Sequence, residues 1–442
     1  MTLVFETALL TDGWHDNVAI GVADGVITDV EPDASGETVR GAAVPGMPNL
    51  HSHAFQRAMA GLAERASGDF WSWRQVMYAM LARLGPDEIG AIAAQLYVEM
   101  LKAGYTAVGE FHYLHHAPDG SRYATLSETS VRVIEAARTT GIAITHLPVL
   151  YAHGGFGAVS PTDQQRRFVN DFDRFVKLVS ELRDAYDAVP SVHIGIASHS
   201  LRAVSPELLR DAVDLGGPIH IHIAEQPQEV EDCIAWSGAR PVAWLLDHAD
   251  VDARWCLVHA THMDAEETAA LARSGAVVGL CPTTEANLGD GIFLAADYVG
   301  ASGRFGIGSD SHVAVDVAEE LRLLEYGQRL TLGRRAVLAA PEASTGRSVY
   351  ERTVTGGATA LGLAAGRLAP GHRADIVVLD TDHPTLVGRS GDAILDSWVF
   401  CNAGRPVRDV YVGGVRVVAD GTHRAEDAVL AGYRATIADL TP

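Results

Sequence analysis

Eight short segments rich in β-branched and other apolar residues recur along the middle of the chain, and most are separated by amphipathic stretches of helical length. They span residues 42–53, 106–113, 142–151, 191–200, 218–225, 256–262, 276–282 and 304–312. Strand–helix alternation repeated eight times over ~250 residues has the size and pattern of a (β/α)8 barrel. An open doubly wound sheet is the rival, but its first strand usually leads into a glycine-rich phosphate turn, and here it leads into an HSH motif. The sequence therefore predicts an α/β protein built on a TIM-like barrel.

Two of the intervening stretches show the helical pattern clearly. Residues 86–104 begin with Pro86, which suits the first turn of a helix. Residues 161–186 carry four apolar side chains at steps of four, three and four, along one helix face: Phe168, Phe172, Phe175 and Val179. We therefore predict helices over both stretches.

The two ends of the chain have a different pattern. Residues 1–41 and 360–420 show short alternating strands with turn signals between them, and no linker rich in Pro, Gly and Ser separates them from the middle of the chain. We therefore predict a small β-sandwich domain built from residues 1–44 and 360–442. It should dock tightly on a barrel domain of residues 45–359.

Composition limits the classes of function. The 442 residues include 34 basic and 56 acidic side chains, so the net charge of −22 opposes binding to nucleic acid or to an anionic membrane. The four cysteines form no CxxC pair, no basic region precedes an apolar stretch at the N-terminus, and no apolar run reaches ~18 residues. We expect a cytoplasmic protein with a small-molecule partner.

Histidines and carboxylates stand at the carboxyl ends of four predicted strands, where barrels of this kind place their active sites. The two imidazoles of the HSH motif are two residues apart on a strand, so they point to the same side. Taken singly, each of these residues is ordinary, but together they converge on one point and predict a metal site. The residues are His51 and His53 on the first strand, His222 on the fifth, His259 on the sixth and Asp310 on the eighth.

The donor types indicate which ion the site holds. Three imidazoles and one carboxylate suit Zn²⁺, while Fe²⁺ and Mn²⁺ stay open. Binuclear barrels of this type commonly bridge two ions with a carboxylated lysine on the fourth strand. The chain has only two lysines, Lys102 and Lys177, and both lie in helical segments. A single ion is therefore expected.

Such an ion lowers the pKa of a bound water to about 7, and attack on a carbon–nitrogen centre then requires proton transfer. Asp310 can accept the proton of the water, and His259 can orient the attacking hydroxide. Glu225, three residues after His222, can deliver a proton to the nitrogen of the substrate. The alternative for Glu225 is a surface carboxylate or a hydrogen-bond partner of a histidine.

Longer blocks of sequence around these residues resemble the amidohydrolase superfamily, and more closely its formimidoylglutamate deiminase family. They read NLHSHAFQRAMAG, WSWRQVMY, GEFHYLHH, HIAEQPQEV, HATH, CPTTEANLGDGIF and GSDSH, and the resemblance covers nearly the whole chain. It implies one zinc held by His51, His53, His222 and Asp310, with Glu225 and His259 as the acid–base pair. It also implies a homodimer that hydrolyses N-formimino-L-glutamate to N-formyl-L-glutamate and ammonia.

The resemblance further implies five residues that hold the two carboxylates of the substrate: Gln56, Arg74, Tyr113, His199 and Arg202. The residue types agree, because an arginine presents a planar fork that matches a carboxylate. Arg74 could instead lie on a helix surface and Tyr113 could pack in the core. We expect structural roles for four other histidines near strand ends: His115, His116, His262 and His312. We expect Cys256 and Cys281 to be buried thiols that do not bind metal.

Two alternative functions stay open at this stage. Another aminohydrolase of the same barrel, acting on a purine or pyrimidine ring, would use the same metal but prefer stacking aromatic side chains and amide donors. A non-catalytic barrel that serves as a scaffold would tend to lose metal ligands, and this chain keeps all four.

Overall fold

Seventeen β-strands and fourteen α-helices are seen in the computed structural model, which describes residues 1–64, 70–401 and 404–440. The strands are β1 (Thr2–Leu10), β2 (Gly13–Ala23), β3 (Val26–Glu31), β4 (Thr38–Pro45), β5 (Met47–Ser52), β6 (Tyr105–His112), β7 (Ala143–Leu150), β8 (Val192–Ile194), β9 (Ile196–Ser200), β10 (Ile219–Ile223), β11 (Trp255–His259), β12 (Val277–Leu280), β13 (Arg304–Ile307), β14 (Ile376–Leu379), β15 (Val407–Val412), β16 (Val415–Ala419) and β17 (Thr422–His423).

The helices alternate with the barrel strands and continue to the C-terminus. They are α1 (Phe70–Leu81), α2 (Pro86–Lys102), α3 (Glu128–Thr140), α4 (Phe172–Tyr186), α5 (Pro206–Val213), α6 (Pro227–Ser237), α7 (Pro241–His248), α8 (Ala265–Ser274), α9 (Pro282–Leu288), α10 (Ala295–Gly300), α11 (Val317–Leu332), α12 (Thr345–Ala360), α13 (Asp392–Phe400) and α14 (Glu426–Leu440). Among the described residues no helix is both long and apolar enough to cross a membrane.

The barrel sheet confirms the predicted fold. Its parallel strands follow one another in the order β5-β6-β7-β9-β10-β11-β12-β13, and the short β8 pairs with β7. A parallel bridge between Ser52 and Asp310 joins the end of β5 to the chain after β13 and closes the barrel. All eight predicted strand segments contain a strand, and the fourth is split into β8 and β9 at Gly195.

Strands from both termini form a second, eight-stranded sheet in the order β17-β16-β15-β14-β4-β1-β2-β3. The two ends of the chain meet where β14 pairs antiparallel with β4. The separate β unit from both termini is therefore confirmed, while its bounds at residues 44 and 360 stay a prediction.

The predicted segment 42–53 is two strands, not one. Residues up to Pro45 belong to β4 of the terminal sheet, and the barrel strand β5 begins at Met47. At Gly46 the chain passes from one sheet to the other through a narrow gap. A Cβ atom there would lie 2.3 Å from the side chain of Thr106, so no side chain fits. This close approach requires glycine at the point where the chain changes sheets.

One predicted helix is confirmed and the other is shorter than predicted. Helix α2 ends at Lys102, close to the predicted bound. Helix α4 begins only at Phe172, because the side chain of Asp171 accepts a hydrogen bond from the Arg174 amide at 2.9 Å and caps the helix there. Phe168 therefore lies in the preceding loop, where it is buried beside the site described next.

Candidate active site

Four side chains from the ends of β5, β10 and β13 converge in the mouth of the barrel. The Nε2 atom of His51 lies 3.2 Å from Nε2 of His53 and 3.0 Å from Nε2 of His222. The Oδ1 atom of Asp310 lies 3.5 Å from His51 Nε2 and 3.4 Å from His53 Nε2. All four residues are buried. The structure thus brings together the residues predicted to hold a metal ion.

Backbone carbonyls determine which nitrogen is protonated in two of these rings. Nδ1 of His53 lies 2.9 Å from the Phe111 carbonyl, and Nδ1 of His222 lies 3.0 Å from the His199 carbonyl. A carbonyl only accepts, so each Nδ1 donates and each Nε2 keeps a free lone pair. Burial lowers the pKa of His53 and takes the pKa values of His51 and His222 well below the usual range, which keeps the rings neutral.

This donor set fits a divalent ion. Two unprotonated Nε2 atoms face Nε2 of His51, which can carry one proton at most, so hydrogen bonds cannot satisfy all three. A tetrahedral ion with bonds of about 2.0–2.1 Å holds its ligands about 3.3–3.4 Å apart. Four of the distances between donor atoms of the cluster, His51 to His53, His222 and Asp310 and His53 to Asp310, are 3.0 to 3.5 Å. Neutral imidazoles and a carboxylate at this spacing are the ligands that Zn²⁺ prefers.

The cluster lies at the seam where the barrel closes. The Asp310 amide donates to the His51 carbonyl at 3.1 Å, and the His53 amide donates to the Asp310 carbonyl at 3.2 Å. A Cβ atom at Gly308 would lie 2.7 Å from the His51 carbonyl oxygen, so only glycine permits this approach of the two chains. Closure of the barrel therefore places Asp310 beside the two histidines of the HSH motif.

Glu110 on β6 holds the turn that follows β5. Its carboxylate accepts hydrogen bonds from the Ser52 hydroxyl at 2.6 Å, the Ala54 amide at 2.7 Å and the Tyr97 hydroxyl at 3.1 Å. Burial raises the pKa of Glu110 to about 7. Sequence reasoning did not single out this residue, although it stands near the end of a predicted strand.

Left-handed backbone conformations cluster at the ends of the ligand-bearing strands. Ala224, His259, Ala260 and Asp310 have φ values of 50°, 68°, 50° and 45°. Such conformations cost non-glycine residues about 1–3 kcal/mol each and occur mainly where the surrounding structure imposes them. Here they turn the chain at the exits of β10, β11 and β13.

His259 lies between three carboxylates. Its Nε2 is 3.8 Å from Oε1 of Glu225 and 3.9 Å from Oδ2 of Asp310, and its Nδ1 is 3.2 Å from Oε1 of Glu285. Burial disfavours the cation, but the charges of Glu225, Glu285 and Asp310 outweigh burial and raise the pKa of His259 to about 10. Burial raises the pKa of Glu225, and Asp310 adds to the shift while His259 opposes it. These groups can hold and move protons beside the cluster.

A cavity that is partly open to solvent extends from the cluster. Four of the predicted substrate-binding residues line it: Gln56, Tyr113, His199 and Arg202. The fifth, Arg74, lies on helix α1, whose Trp73, Met77 and Tyr78 line the same cavity. The side chain of Arg74 itself is outside the described part of the structure.

Donor groups in this cavity are held by buried partners. The Gln56 amide donates to the Tyr113 hydroxyl at 3.0 Å, and burial raises the pKa of Tyr113 well above its usual value, which keeps the hydroxyl protonated. The Nε of Arg202 is buried and has no hydrogen-bond partner among the described residues. Burial disfavours the charge of Arg202, but the carboxylates of Glu229 and Glu225 outweigh burial and raise its pKa.

The other histidines near the strand ends bond to neighbouring groups. His115, His116 and His262 each place Nε2 2.7 to 2.9 Å from a backbone carbonyl, and His312 bonds the hydroxyls of Ser52 and Ser309. These contacts agree with structural roles. Cys256 and Cys281 are buried thiols, as predicted. The Sγ of Cys281 also lies within 4.8 Å of donor atoms of His259 and Asp310.

Two further site residues were missed by sequence reasoning. Tyr151 directly follows β7 and lines the cavity, and the buried Gln165 donates to its hydroxyl at 2.6 Å. The strand-end rule that selected the metal-type residues could have found Tyr151, because it directly follows a barrel strand. Glu285 lies on α9, four residues after Cys281. It is therefore too far from the end of β12 to be found by a search of strand ends.

Comparisons with known proteins agree with this geometry. The model of the amidohydrolase family matches residues 42–417, and the model of the N-terminal domain of formimidoylglutamate deiminase HutF matches residues 1–38. The chain is 52% identical over 452 aligned residues to a formimidoylglutamate deiminase of Pseudomonas aeruginosa, with 100% of both chains covered. It is 29% identical to a 5-methylthioadenosine/S-adenosylhomocysteine deaminase of Natronomonas pharaonis, over 92% of this chain and 88% of the relative.

Solved structures show the same architecture. An amidohydrolase from Brucella melitensis superposes with a TM-score of 0.94 at 50% identity, covering 99% of each chain. The atrazine chlorohydrolase TrzN of Arthrobacter aurescens, complexed with zinc, superposes with a TM-score of 0.85 at 23% identity over 99% of each chain, which shows the shared fold alone. The chain therefore belongs to the amidohydrolase family and, within it, to the formimidoylglutamate deiminases.

Proposed function

We propose that the protein hydrolyses N-formimino-L-glutamate to N-formyl-L-glutamate and ammonia, a step of histidine degradation. One observation carries the proposal. A metal-type cluster of His51, His53, His222 and Asp310 shares its cavity with Arg202, whose buried Nε has no hydrogen-bond partner among the described residues. The first feature suits hydrolysis of a carbon–nitrogen bond, and the second suits a carboxylate on the substrate.

We propose that the cluster holds one Zn²⁺ per chain, with Fe²⁺ as the alternative. When bound, the ion would make hydroxide available near neutral pH by lowering the pKa of a coordinated water to about 7. The chain has two lysines, and they lie on α2 and α4 instead of at strand ends, so no lysine can bridge a second ion. The neutral state of the three imidazoles supports metal binding, because protonated rings cannot bind a cation.

Three residues are proposed to carry the proton transfers. Asp310 would take the proton that the water loses on attacking the formimino carbon. His259, with Nε2 3.9 Å from Asp310, would orient the attacking oxygen. Glu225, whose pKa is raised by burial, would give a proton to the terminal nitrogen and then take the remaining proton of the added hydroxyl. The proton held by Asp310 would pass to the same nitrogen, so that ammonia leaves, the carbonyl of N-formylglutamate forms and both carboxyl groups return to their starting states.

The side chains that line the cavity would bind the two carboxylates of the substrate. Arg202 offers a charged fork, and His199 and Tyr113 offer single donors on the same wall. The amide of Gln56 donates to Tyr113 and thereby turns the tyrosine proton away from itself. We propose Arg74, on the helix that covers the cavity, as a further carboxylate partner.

Deamination of a purine or pyrimidine ring is the second candidate. Aromatic side chains in the cavity could stack on such a ring: Trp73, Tyr78, Tyr113, Tyr151 and Phe168. The relative from Natronomonas pharaonis carries the name of a nucleoside deaminase. Arg202 argues against this candidate, because a neutral ring offers no carboxylate to the unpartnered Nε of Arg202.

Ammonia release distinguishes the two candidates. Purified protein is incubated with N-formimino-L-glutamate, adenosine, guanine and cytosine, and N-formylglutamate is identified as the second product. We expect release from N-formimino-L-glutamate alone, loss of activity on chelation, and recovery on adding Zn²⁺ or Fe²⁺. Formamide in place of ammonia, or release from a nucleobase only, would contradict the proposal.

A homodimer in the cytoplasm is proposed from the family resemblance. Sedimentation equilibrium of the purified protein tests the oligomeric state, with an expected mass of twice the 47.0 kDa of the chain. A single species at the chain mass would show that the protein is a monomer.

A further inference from the structure

Glu285 contacts His259 at Nδ1, the ring nitrogen that does not face Glu225 and Asp310. Its Oε1 atom lies 3.2 Å from His259 Nδ1, and the same oxygen accepts the Cys281 amide at 2.9 Å. Glu285 is buried on α9, so water does not compete strongly for this oxygen. The contact joins the seventh and sixth strand regions of the barrel behind the proton-transfer groups.

The geometry determines how the imidazole of His259 is presented. An ionised carboxylate only accepts hydrogen bonds, so Nδ1 must carry a proton that it donates to Glu285. Nε2 then faces Glu225 at 3.8 Å and Asp310 at 3.9 Å. A 180° rotation of the ring would place carbon atoms where both nitrogens now lie, and it would break the contact with Glu285.

The backbone turns sharply at His259. His259 and the following Ala260 have φ values of 68° and 50°, so the chain leaves β11 in a left-handed turn at the residue that must be aimed. The carboxylate of Glu285, which lies on a different element, is within hydrogen-bond distance of the His259 ring.

We propose that Glu285 is the positioning residue of His259: it fixes the ring orientation and keeps the proton on Nδ1, so that Nε2 serves the reaction. This inference rests on the proposed function for its kinetic consequence. The orientation and protonation of the His259 ring can be measured without substrate, so this part of the inference does not depend on the proposed function.

A second buried glutamate provides a matched control. Glu320 on α11 accepts the Thr283 amide at 2.9 Å and the Thr283 hydroxyl at 2.6 Å, so it supports the same first turn of α9. Glu320 is fully buried. If Glu285 only stabilised the turn at Cys281, loss of the Glu320 contacts should have a similar effect on activity.

The kinetic experiment compares Glu285→Ala, Glu285→Gln and Glu320→Gln with the wild-type holoenzyme. We expect Glu285→Ala to lower kcat by about 10- to 100-fold, as is typical for loss of a partner that orients a functional histidine, with KM changed by less than about threefold. Glu285→Gln should recover most of kcat, because the Cys281 amide keeps the carbonyl oxygen of the new side chain facing His259. Glu320→Gln should retain kcat within about threefold of wild type.

The second measurement is a ¹⁵N–¹H spectrum of protein labelled in histidine, with the His259 signals assigned by their loss in His259→Asn. We expect a protected, strongly deshielded Nδ1 proton in wild type and in Glu320→Gln, and its loss in Glu285→Ala. If Glu285→Ala does not fold, Glu285→Asp replaces it, because the shorter side chain withdraws the carboxylate.

Two results would overturn the proposal: an unchanged His259 Nδ1 signal in Glu285→Ala, or equal losses of kcat in Glu285→Ala and Glu320→Gln. A wild-type protein that releases no ammonia from N-formimino-L-glutamate would refute the proposed function instead. In that case the spectrum still decides whether Glu285 positions His259.

Discussion

Replacement of Arg202 by alanine tests whether the cavity binds a carboxylate. Arg202 lies two residues beyond β9 on the cavity wall beside His199, and its Nε has no hydrogen-bond partner among the described residues. The carboxylates of Glu229 and Glu225 keep it cationic despite its burial. An anionic ligand would satisfy this charge, and no other role in the reaction requires it.

The expected magnitude follows from that environment. A hydrogen bond to a charged group contributes about 1.5–3 kcal/mol, and a substrate carboxylate left buried without its partner adds to the loss. A total of about 2–4 kcal/mol corresponds to a decrease of roughly 30- to 900-fold in kcat/KM. Because the carboxylate is remote from the reacting carbon, its contact is similar in ground state and transition state, and the loss should appear mainly as a higher KM.

Initial rates of ammonia release from N-formimino-L-glutamate measure this effect, together with the metal content of each variant. Arg202→Lys should fall between wild type and alanine, since it keeps the charge but loses the planar fork. Arg132→Ala, which removes an arginine paired with Asp87 and Glu128 on the surface, is the control and should retain wild-type kinetics. An unchanged kcat/KM in Arg202→Ala with the metal still bound would refute the carboxylate-binding role.

Three further predictions concern stability and the metal. Burial lowers the pKa of His115 to about 4 and of His146 to about 3, so only the unfolded state binds these protons as the pH falls below about 6.5. The free energy of unfolding should therefore fall by about 1.4 kcal/mol per pH unit for each group between pH 6.5 and 4. In urea titrations, the decrease with pH in His146→Leu should be smaller by the contribution of one group. Gly356→Ala should destabilise the protein by about 3 kcal/mol or more, because its Cβ would lie 1.9 Å from the Phe305 carbonyl oxygen. The control Gly432→Ala, in open space on α14, should raise the thermal midpoint slightly. Chelation should lower the thermal midpoint as well as activity, and an unchanged midpoint would show that the cluster holds no tightly bound ion.

Periodicity and strand ends gave correct predictions where local sequence determines the structure. Runs of apolar residues placed all eight barrel strands, and the ends of the first, fifth and eighth strands carried the clustered His51, His222 and Asp310. Parallel strands of one barrel end on the same rim, so residues far apart in sequence meet there without any knowledge of the loops. The convergence of the metal-type cluster was predictable for this reason.

Loops and caps limited the prediction elsewhere. Phe168 fits the apolar stripe of α4, yet the helix begins only after the Asp171 cap, so Phe168 lies in the preceding loop beside the cavity. The strand prediction across Gly46 failed because the chain passes there from the terminal sheet to the barrel sheet, which is a tertiary feature. A helical or strand period cannot reveal where a cap or a neighbouring chain interrupts it.

The partners that orient the site residues were the least predictable part, and the cause lies in the backbone at the strand exits. Ala224, His259 and Asp310 adopt left-handed conformations that are usually signalled by glycine or asparagine, and alanine and histidine at such positions carry no local cue. The direction of each following loop is therefore set by the packing of the whole barrel. Glu285 meets His259 across two neighbouring strand exits, so its role follows from the three-dimensional structure and not from its place in the sequence.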